Sequence, residues 1–129
     1  MKTIIIKGRI PSKKNSKIIV YKGRFPSLLP SKKYQEWHRD ASEQIIYLVP
    51  MKPIENCKIK FVLFAPDKRK ADLTNKAESV MDLFVDTGIL SDDNWFVVGD
   101  IHLKFGGVDK LNPRVEVGIY EADTTEAKE

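Results

Sequence analysis

Acidic residues between positions 72 and 93 have types and a spacing that could bind a divalent metal ion. Asp72 begins this segment, and Asp93, the second of two adjacent aspartates, ends it. Carboxylate oxygens are preferred ligands of hard cations, and a metal held by them can assist hydrolysis of a phosphodiester. The three residues before Ala71 are all cationic and could contact substrate phosphates. These residue types are the ones that a metal-dependent phosphodiesterase needs.

The same acids also have a simpler interpretation in an amphipathic helix. Apolar residues recur at helical spacing from Leu73 to Phe84, Asp72 stands where an N-cap is expected, and Gly88 is a plausible C-cap. The sequence therefore predicts a helix from about Leu73 to about Thr87. The opposite face of this helix carries Asn75, Glu78, Asp82 and Asp86. Capping by Asp72 and a solvated acidic face are thus the alternative to a metal site.

Length and composition limit the classes of protein to which the chain can belong. Its 129 residues suffice for one domain with a single modest core. The single cysteine, Cys57, excludes an internal disulfide and a cysteine-rich zinc site. No apolar run is long enough to span a bilayer, and residues 4–6 form too short a run for a signal peptide. We therefore expect a cytoplasmic protein that does not associate with membranes.

Charge is distributed unevenly along the chain. Residues 1–70 hold 17 lysines and arginines against 5 acidic residues, whereas residues 71–129 hold 5 against 13. A basic surface around an acidic centre would suit a polyanionic substrate bound beside a metal. The two halves could equally attract each other within one fold, and the two interpretations are compatible.

Period-two alternation of apolar and polar residues predicts most of the strands. The predicted strands cover residues 3–8, 57–65, 95–98, 101–105 and 114–120. The second of these is apolar on both faces at its far end, which predicts a central position in a sheet. Gly99 and Asp100 predict an interruption at a bulge, and residues 106–113 predict a hairpin loop before the last strand.

The remaining segments predict one hairpin, one further helix and a tail. Residues 17–26 predict a hairpin closed at Lys22-Gly23. Phe25 is predicted to be a buried or half-buried strand residue, and an aromatic that stacks near nucleic acid is the alternative. An apolar stripe predicts a helix at about residues 31–48, in which His38 is a structural or solvent-facing residue rather than a catalytic one. Residues 121–129 predict a loose acidic tail after a single domain at residues 1–120.

Residues 8–17 predict a cationic loop after the first strand. Glycine, proline, serine and asparagine in this segment are typical of a loop. The functional interpretation is contact with substrate phosphates through Lys13, Lys14 and Lys17. An ordinary solvated loop is the alternative.

Three motifs resemble the RusA family of Holliday junction resolvases. They are an Asp-Leu-Thr-Asn motif that begins at Asp72, an aspartate at position 82, and a Gly-Ile-Leu-Ser-Asp-Asp motif that ends at Asp93. A Pro-Ser-x-x-Asn motif that begins at Pro11 is also similar to that family's loop after its first strand. The resemblance runs in order from residue 4 to about residue 120.

The resemblance implies a fold and an activity. The implied fold is a small α+β domain, in which a mixed β-sheet of about five to six strands packs with two main helices and which works as a homodimer. The implied activity is cleavage of four-way DNA junctions by paired nicks, in DNA recombination and repair. The implied cofactor is Mg²⁺, for which Mn²⁺ can substitute.

The resemblance also implies roles for particular residues. Asp72 and Asp93 match metal-binding catalytic aspartates, Asp92 is the adjoining acid, and Asn75 matches the asparagine of the motif. Thr74 stands where the family has a second aspartate, and Glu78 stands where a catalytic lysine is expected. We therefore hypothesise that Glu78 supplies the third acid. The expected DNA contacts are Lys13, Lys14, Asn15, Lys17, Lys68, Arg69, Lys70 and Lys76.

Other functions remain open at this point. The altered motif could leave a DNA-binding protein of the same fold that no longer cleaves. A nuclease that acts more broadly on branched or single-stranded DNA is a second possibility. A basic interaction domain without a role in nucleic acid binding is a third.

Overall fold

The computed structural model describes residues 1–12 and 17–122 of the chain. Its elements are, in chain order, β1 (Lys2–Lys7), β2 (Lys17–Lys22), β3 (Phe25–Pro30), α1 (Lys32–Ile45), a 3₁₀ turn at Ile46–Leu48, β4 (Cys57–Ala65), α2 (Leu73–Thr87), β5 (Val98–Val108) and β6 (Arg114–Glu121). This arrangement confirms the expected α+β class. The acidic tail predicted at 121–129 lies outside the described residues from position 123 onward.

Four strands form the main sheet in the order β1-β6-β4-β5, and β2 pairs with β3 in a separate hairpin. β4 is therefore an interior strand, as its far end, apolar on both faces, predicted. β4 and β5 run parallel, whereas β4 with β6 and β1 with β6 are antiparallel, so the sheet is mixed. The inward residues of β4 belong to one hydrophobic cluster with buried residues of α1 and α2.

Helix α2 connects β4 to β5 and makes their parallel pairing possible, because parallel neighbours need a crossover connection. Its bounds match the prediction at both ends. Gly88 ends the helix with φ of +87°, in the left-handed region that glycine adopts without strain, and its N–H is directed at carbonyls of the last turn. Along the described chain, no helix is long and apolar enough to cross a membrane.

The strand predicted at 95–98 is wrong over most of its length. Residues 95–97 form a turn, and β5 begins only at Val98. The Asn94 carboxamide oxygen accepts the backbone N–H groups of Phe96 at 3.0 Å and Val97 at 3.2 Å. These bonds satisfy donors that a strand would offer to a neighbour, which favours a turn. The bulge predicted at Gly99 is confirmed by a register shift in the pairing of β4 with β5.

The hairpin loop predicted at 106–113 is also wrong. β5 continues to Val108, and β4 lies between β5 and β6, so the last two strands are not paired. A second register shift leaves Gly106 as an extra residue in β5. A Cβ atom at Gly106 would lie only 2.7 Å from the ring of Phe64, so this close approach requires glycine.

The β2–β3 hairpin is longer than predicted and closes one residue later, at Gly23-Arg24. Gly23 has φ of +63°, which suits a two-residue hairpin turn. Phe25 is 77% exposed, so the prediction that it would be at least half-buried is wrong. The hairpin is a separate two-stranded sheet, so within the described residues no strand of the main sheet pairs with it.

Phe61→Ala should destabilise the protein by roughly 3–5 kcal/mol, because Phe61 is fully buried at the centre of the sheet and truncation leaves a cavity. Urea unfolding followed by circular dichroism measures the change. Tyr47→Ala removes an aromatic ring that is 78% exposed and should change the unfolding free energy by less than about 0.5 kcal/mol. Equal destabilisation by the two variants would contradict this account of the core.

Candidate active site

Asp72 occupies the N-cap position of α2, but its side chain does not cap the helix. Its Oδ2 atom instead accepts a hydrogen bond from Nδ2 of Asn75 at 3.2 Å. At the start of α1, by contrast, Ser31 Oγ accepts the N–H of Tyr34 in the usual capping geometry. Asp72 is exposed, and its carboxylate makes no capping hydrogen bond to the helix end. The alternative in which this side chain serves only as an N-cap is therefore not supported.

Asp93 and Glu78 line one cavity between α2 and β5. The cavity has a volume of about 260 Å³ and is lined by Thr74, Ala77, Glu78, Met81, Asp93, Ile101 and Leu103. Thr74 and Glu78 lie one helical turn apart, so both reach the same space. Two acids that are separated in sequence thus line the same cavity, and several of its other lining residues are apolar.

The two adjacent aspartates occupy different environments. Asp92 accepts the backbone N–H of Asp93 at 2.7 Å and the Asn94 side-chain amide at 3.1 Å, and these bonds lower the pKa of Asp92. Partial burial raises the pKa of Asp93, and the neighbouring acids Asp92 and Asp82 raise it further. Asp92 therefore holds the turn together, while Asp93 is among the residues that line the cavity.

The predicted metal ligands do not all converge in this structure. Within residues 1–12 and 17–122, no three histidine, cysteine or acidic side chains form a group that could hold a metal ion. Glu78 and Asp93 share the cavity, while Asp72 and Asp92 are not among its lining residues. The donors are nevertheless carboxylate oxygens on neighbouring elements, which is the chemistry that Mg²⁺ and Mn²⁺ prefer.

Helix α2 also holds the backbone that follows β1. Lys76 Nζ donates to the carbonyl of Ile10 at 2.6 Å, and Ser79 Oγ donates to the carbonyl of Pro11 at 2.7 Å. Burial lowers the pKa of Lys76, and the nearby arginines Arg9 and Arg69 add to this shift. Lys76, which was predicted to contact DNA, therefore stabilises the position of the backbone at Ile10. Sequence reasoning missed Ser79. A serine among the apolar residues of the buried helix face could have indicated this hydrogen bond.

Part of the predicted DNA-contact set falls outside the described structure. Lys13, Lys14 and Asn15 belong to residues 13–16, and the side chain of Lys17 is likewise outside the described part. Ile10 and Pro11, which α2 holds, lie just before this segment.

The cationic segment before α2 is partly neutralised. Arg69 donates to Asp67 through its backbone N–H, Nε and Nη2, and Arg9 Nη2 lies 3.7 Å from the same carboxylate. The bonds from Arg69 lower the pKa of Asp67 to about 2. Lys68 and Lys70 are exposed on either side of Arg69. Arg69, one of the three predicted phosphate contacts in this segment, is thus oriented by Asp67. Sequence reasoning did not single out this acid.

The acidic face of α2 lies beside α1 rather than wholly in solvent. His38 Nε2 and Asp86 Oδ2 are 2.9 Å apart, which gives His38 the structural role that was expected. Tyr34, also on α1, is buried, and burial raises its pKa to about 12 with smaller contributions from the charges of Asp82, Asp86 and Glu78. Helix α1 therefore borders the acids of α2.

A family comparison covers this cavity and the elements of the fold that follow β1. The model of the family described as endodeoxyribonuclease RusA matches residues 8–120, which include α2, the turn at 92–97 and all the acids described above. The chain belongs to the RusA endodeoxyribonuclease family. Membership implies Holliday junction resolvase activity on branched DNA. A comparison with curated proteins found no match.

The pKa of Tyr34 predicts a specific dependence of stability on alkaline pH. When the pKa of a phenol is raised in the folded state, its contribution to the free energy of unfolding is fully present below the ordinary pKa of 10.0. This contribution is lost as pH rises toward about 12. Tyr34→Phe cannot ionise, so it should lose less stability than the unaltered protein over that interval. Urea unfolding below and within the interval measures the difference. An equal loss in both proteins would contradict the assignment.

Proposed function

We propose that this protein is a divalent-metal-dependent endonuclease that resolves four-way DNA junctions by paired phosphodiester hydrolysis, in recombination and repair. The proposal rests on the cavity that Asp93 and Glu78 both line, beside the start of α2. This cavity lies within the part of the chain that matches the family. With DNA as the substrate, the cytoplasm is the proposed compartment.

The acids of this site are the proposed metal ligands. Asp72 and Asp93 would bind Mg²⁺ or Mn²⁺, with Asp92 as the adjoining acid and Glu78 as the third carboxylate in place of the family's second aspartate. When bound, the metal supplies an activated water and neutralises charge on the leaving oxygen. Asn75 holds the Asp72 carboxylate by a hydrogen bond, which limits the orientations that Asp72 can adopt.

The cationic residues are the proposed phosphate contacts. Lys68 and Lys70 are exposed directly before α2, and Arg69 is oriented by Asp67. Lys13, Lys14, Asn15, Lys17 and Lys76 complete the proposed set. Phosphate contacts position the backbone without reading base sequence, so branched shape would determine recognition.

A homodimer is the proposed working form. One active site cleaves one strand, and a four-way junction must be cut on two symmetry-related strands to be resolved. A dimer with a two-fold axis would present two such sites in matching orientations.

A catalytically altered branched-DNA-binding protein is the second candidate. It is favoured by Thr74 and Glu78, which replace an acid and a base of the family's motif, and by the incomplete convergence of acids in the described chain. A nuclease of broader branched-DNA specificity would share the same site and differ only in substrate range.

Asp93→Asn should reduce Mg²⁺-dependent nicking of a synthetic four-way junction by on the order of 100-fold, because it removes a charged metal ligand. Binding of the junction in EDTA should persist. Asp40→Asn removes an exposed aspartate on α1 and should leave nicking unchanged. Glu78→Gln tests the third carboxylate in the same assay, and full activity would exclude Glu78 as a ligand.

Outcomes of this assay also separate the candidate functions. Junction binding without nicking in either Mg²⁺ or Mn²⁺ would favour the altered binding protein. Equal cleavage of linear, forked and four-way DNA would favour the broader nuclease.

Changing Lys68 and Lys70 together to glutamine should weaken binding of all DNA sequences alike and reduce the slope of log Kd against log salt by about two, since each phosphate contact contributes about one. Fluorescence anisotropy at several salt concentrations measures the slope. The matched control changes Lys52 and Lys58, which are exposed toward the opposite end of β4. The same change of slope in both double variants would contradict a local contact at the start of α2.

A further inference from the structure

Two large aromatic side chains protrude into solvent immediately after the acidic pair. Trp95 is 80% exposed and Phe96 is 78% exposed. Their ring centroids lie 6.2 Å apart with the planes at 61°, an edge-type contact in which both rings stay largely exposed. Exposed aromatic surface is unfavourable in water, and a pair of such rings at one place indicates a binding surface.

The turn that carries these rings is held firmly. Asn94 accepts backbone N–H groups from Phe96 and Val97 on its side chain, and its carbonyl accepts those of Val97 and Val98. Val97 and Val98 are buried, and the Val97 carbonyl accepts the N–H of Cys57 at the start of β4. The rings therefore project from an ordered base, and binding there needs little further ordering of the backbone.

The rings also lie close to the acids of the proposed active site. Asn94 alone separates Trp95 from Asp93 in the chain, and the Asn94 amide donates to the Asp92 carboxylate. Asp93 in turn lines the cavity that contains Glu78. A ligand stacked on the rings would thus lie beside the site where a phosphodiester is to be cut.

We propose that Trp95 and Phe96 form a platform on which unpaired DNA bases next to the scissile phosphate stack. This proposal rests on the proposed nuclease function and specifies how the same site selects its substrate. Stacking on aromatic rings is tolerant of base identity, because every base has a π face. The platform therefore selects DNA whose bases are already unstacked or easily unstacked, as at a branch point, over continuous duplex.

A nucleobase fits this surface better than a second copy of the chain. Asp92 and Asp93 precede Trp95 by three and two positions, and an apolar subunit interface at this place would have to remove both carboxylates from water. A base can cover one ring face and leave those carboxylates solvated or bound to metal. The exposed rings and the adjacent acids thus suit a nucleotide, because its base stacks on aromatic rings and its phosphate stays solvated or close to a metal.

The test measures binding of a synthetic four-way junction in EDTA by the variant with Trp95→Ala and Phe96→Ala. We expect roughly tenfold or greater loss of affinity, since stacking of each base contributes about that factor. The slope of log Kd against log salt should stay unchanged, because no phosphate contact is removed. The control variant Tyr47→Ala removes a ring of similar exposure and should bind normally.

Tryptophan fluorescence gives a second measurement. The chain has two tryptophans, Trp37 and Trp95. Trp37→Phe leaves Trp95 as the reporter, and within the described residues the buried Trp37 Nε1 has no hydrogen-bond partner, so this change breaks no such bond there. Junction DNA should quench the fluorescence of Trp95 in that variant.

Three outcomes would overturn the proposal. These are unchanged affinity of the double variant for the junction, unquenched Trp95 fluorescence at saturating DNA, and conversion of a dimer to a monomer in the double variant by sedimentation. The last result would place the rings in a subunit interface. The unaltered protein separates this proposal from the proposed function, because its failure to bind or nick the junction would refute the function itself. If it binds and nicks normally, an unaffected double variant refutes only the platform.

Discussion

Burial of one face of α2 against the sheet determines the arrangement of the whole site. Ala77, Val80, Met81, Leu83 and Phe84 are buried, and this fixes the rotation of the helix about its own axis. At that rotation Thr74 and Glu78 face the cavity next to β5, and Ser79 faces the backbone after β1. Glu78 is therefore positioned by the apolar packing of its helix, whereas Asp72 and Asp92 are also held by hydrogen bonds.

Strong periodicity allowed sequence reasoning to locate the elements that bear the site. The bounds of α2 and β4 agree with the predictions, because apolar residues recur at helical spacing along α2 and alternate with lysines over the first half of β4. The pair of rings after Asp93 was misassigned to a strand, since Trp, Phe and Val favour strands when only propensity is considered. Side-chain bonds from Asn94 to the backbone decided otherwise.

Contacts between distant segments were beyond sequence reasoning. The bonds of Lys76 and Ser79 to Ile10 and Pro11 join positions 66 and 68 residues apart, and no local pattern indicates them. The pairing of Arg69 with Asp67 could have been suspected from opposite charges two residues apart, but such pairs also occur without contact. The family resemblance is confirmed, while the cavity shared by Glu78 and Asp93 became visible only in three dimensions.

The two bulges of β5 have a consequence for how the protein behaves at high concentration. β5 is the outermost strand next to β4, so its free side offers unpaired backbone groups to any other extended chain. Gly99 and Gly106 each interrupt the regular register, and a strand kinked at two points is a poor template for continued sheet growth. Ile101 and Phe105 lie on this long edge, and the two bulges protect it against amyloid-like self-association. The charged Lys104 in the same strand adds to this protection.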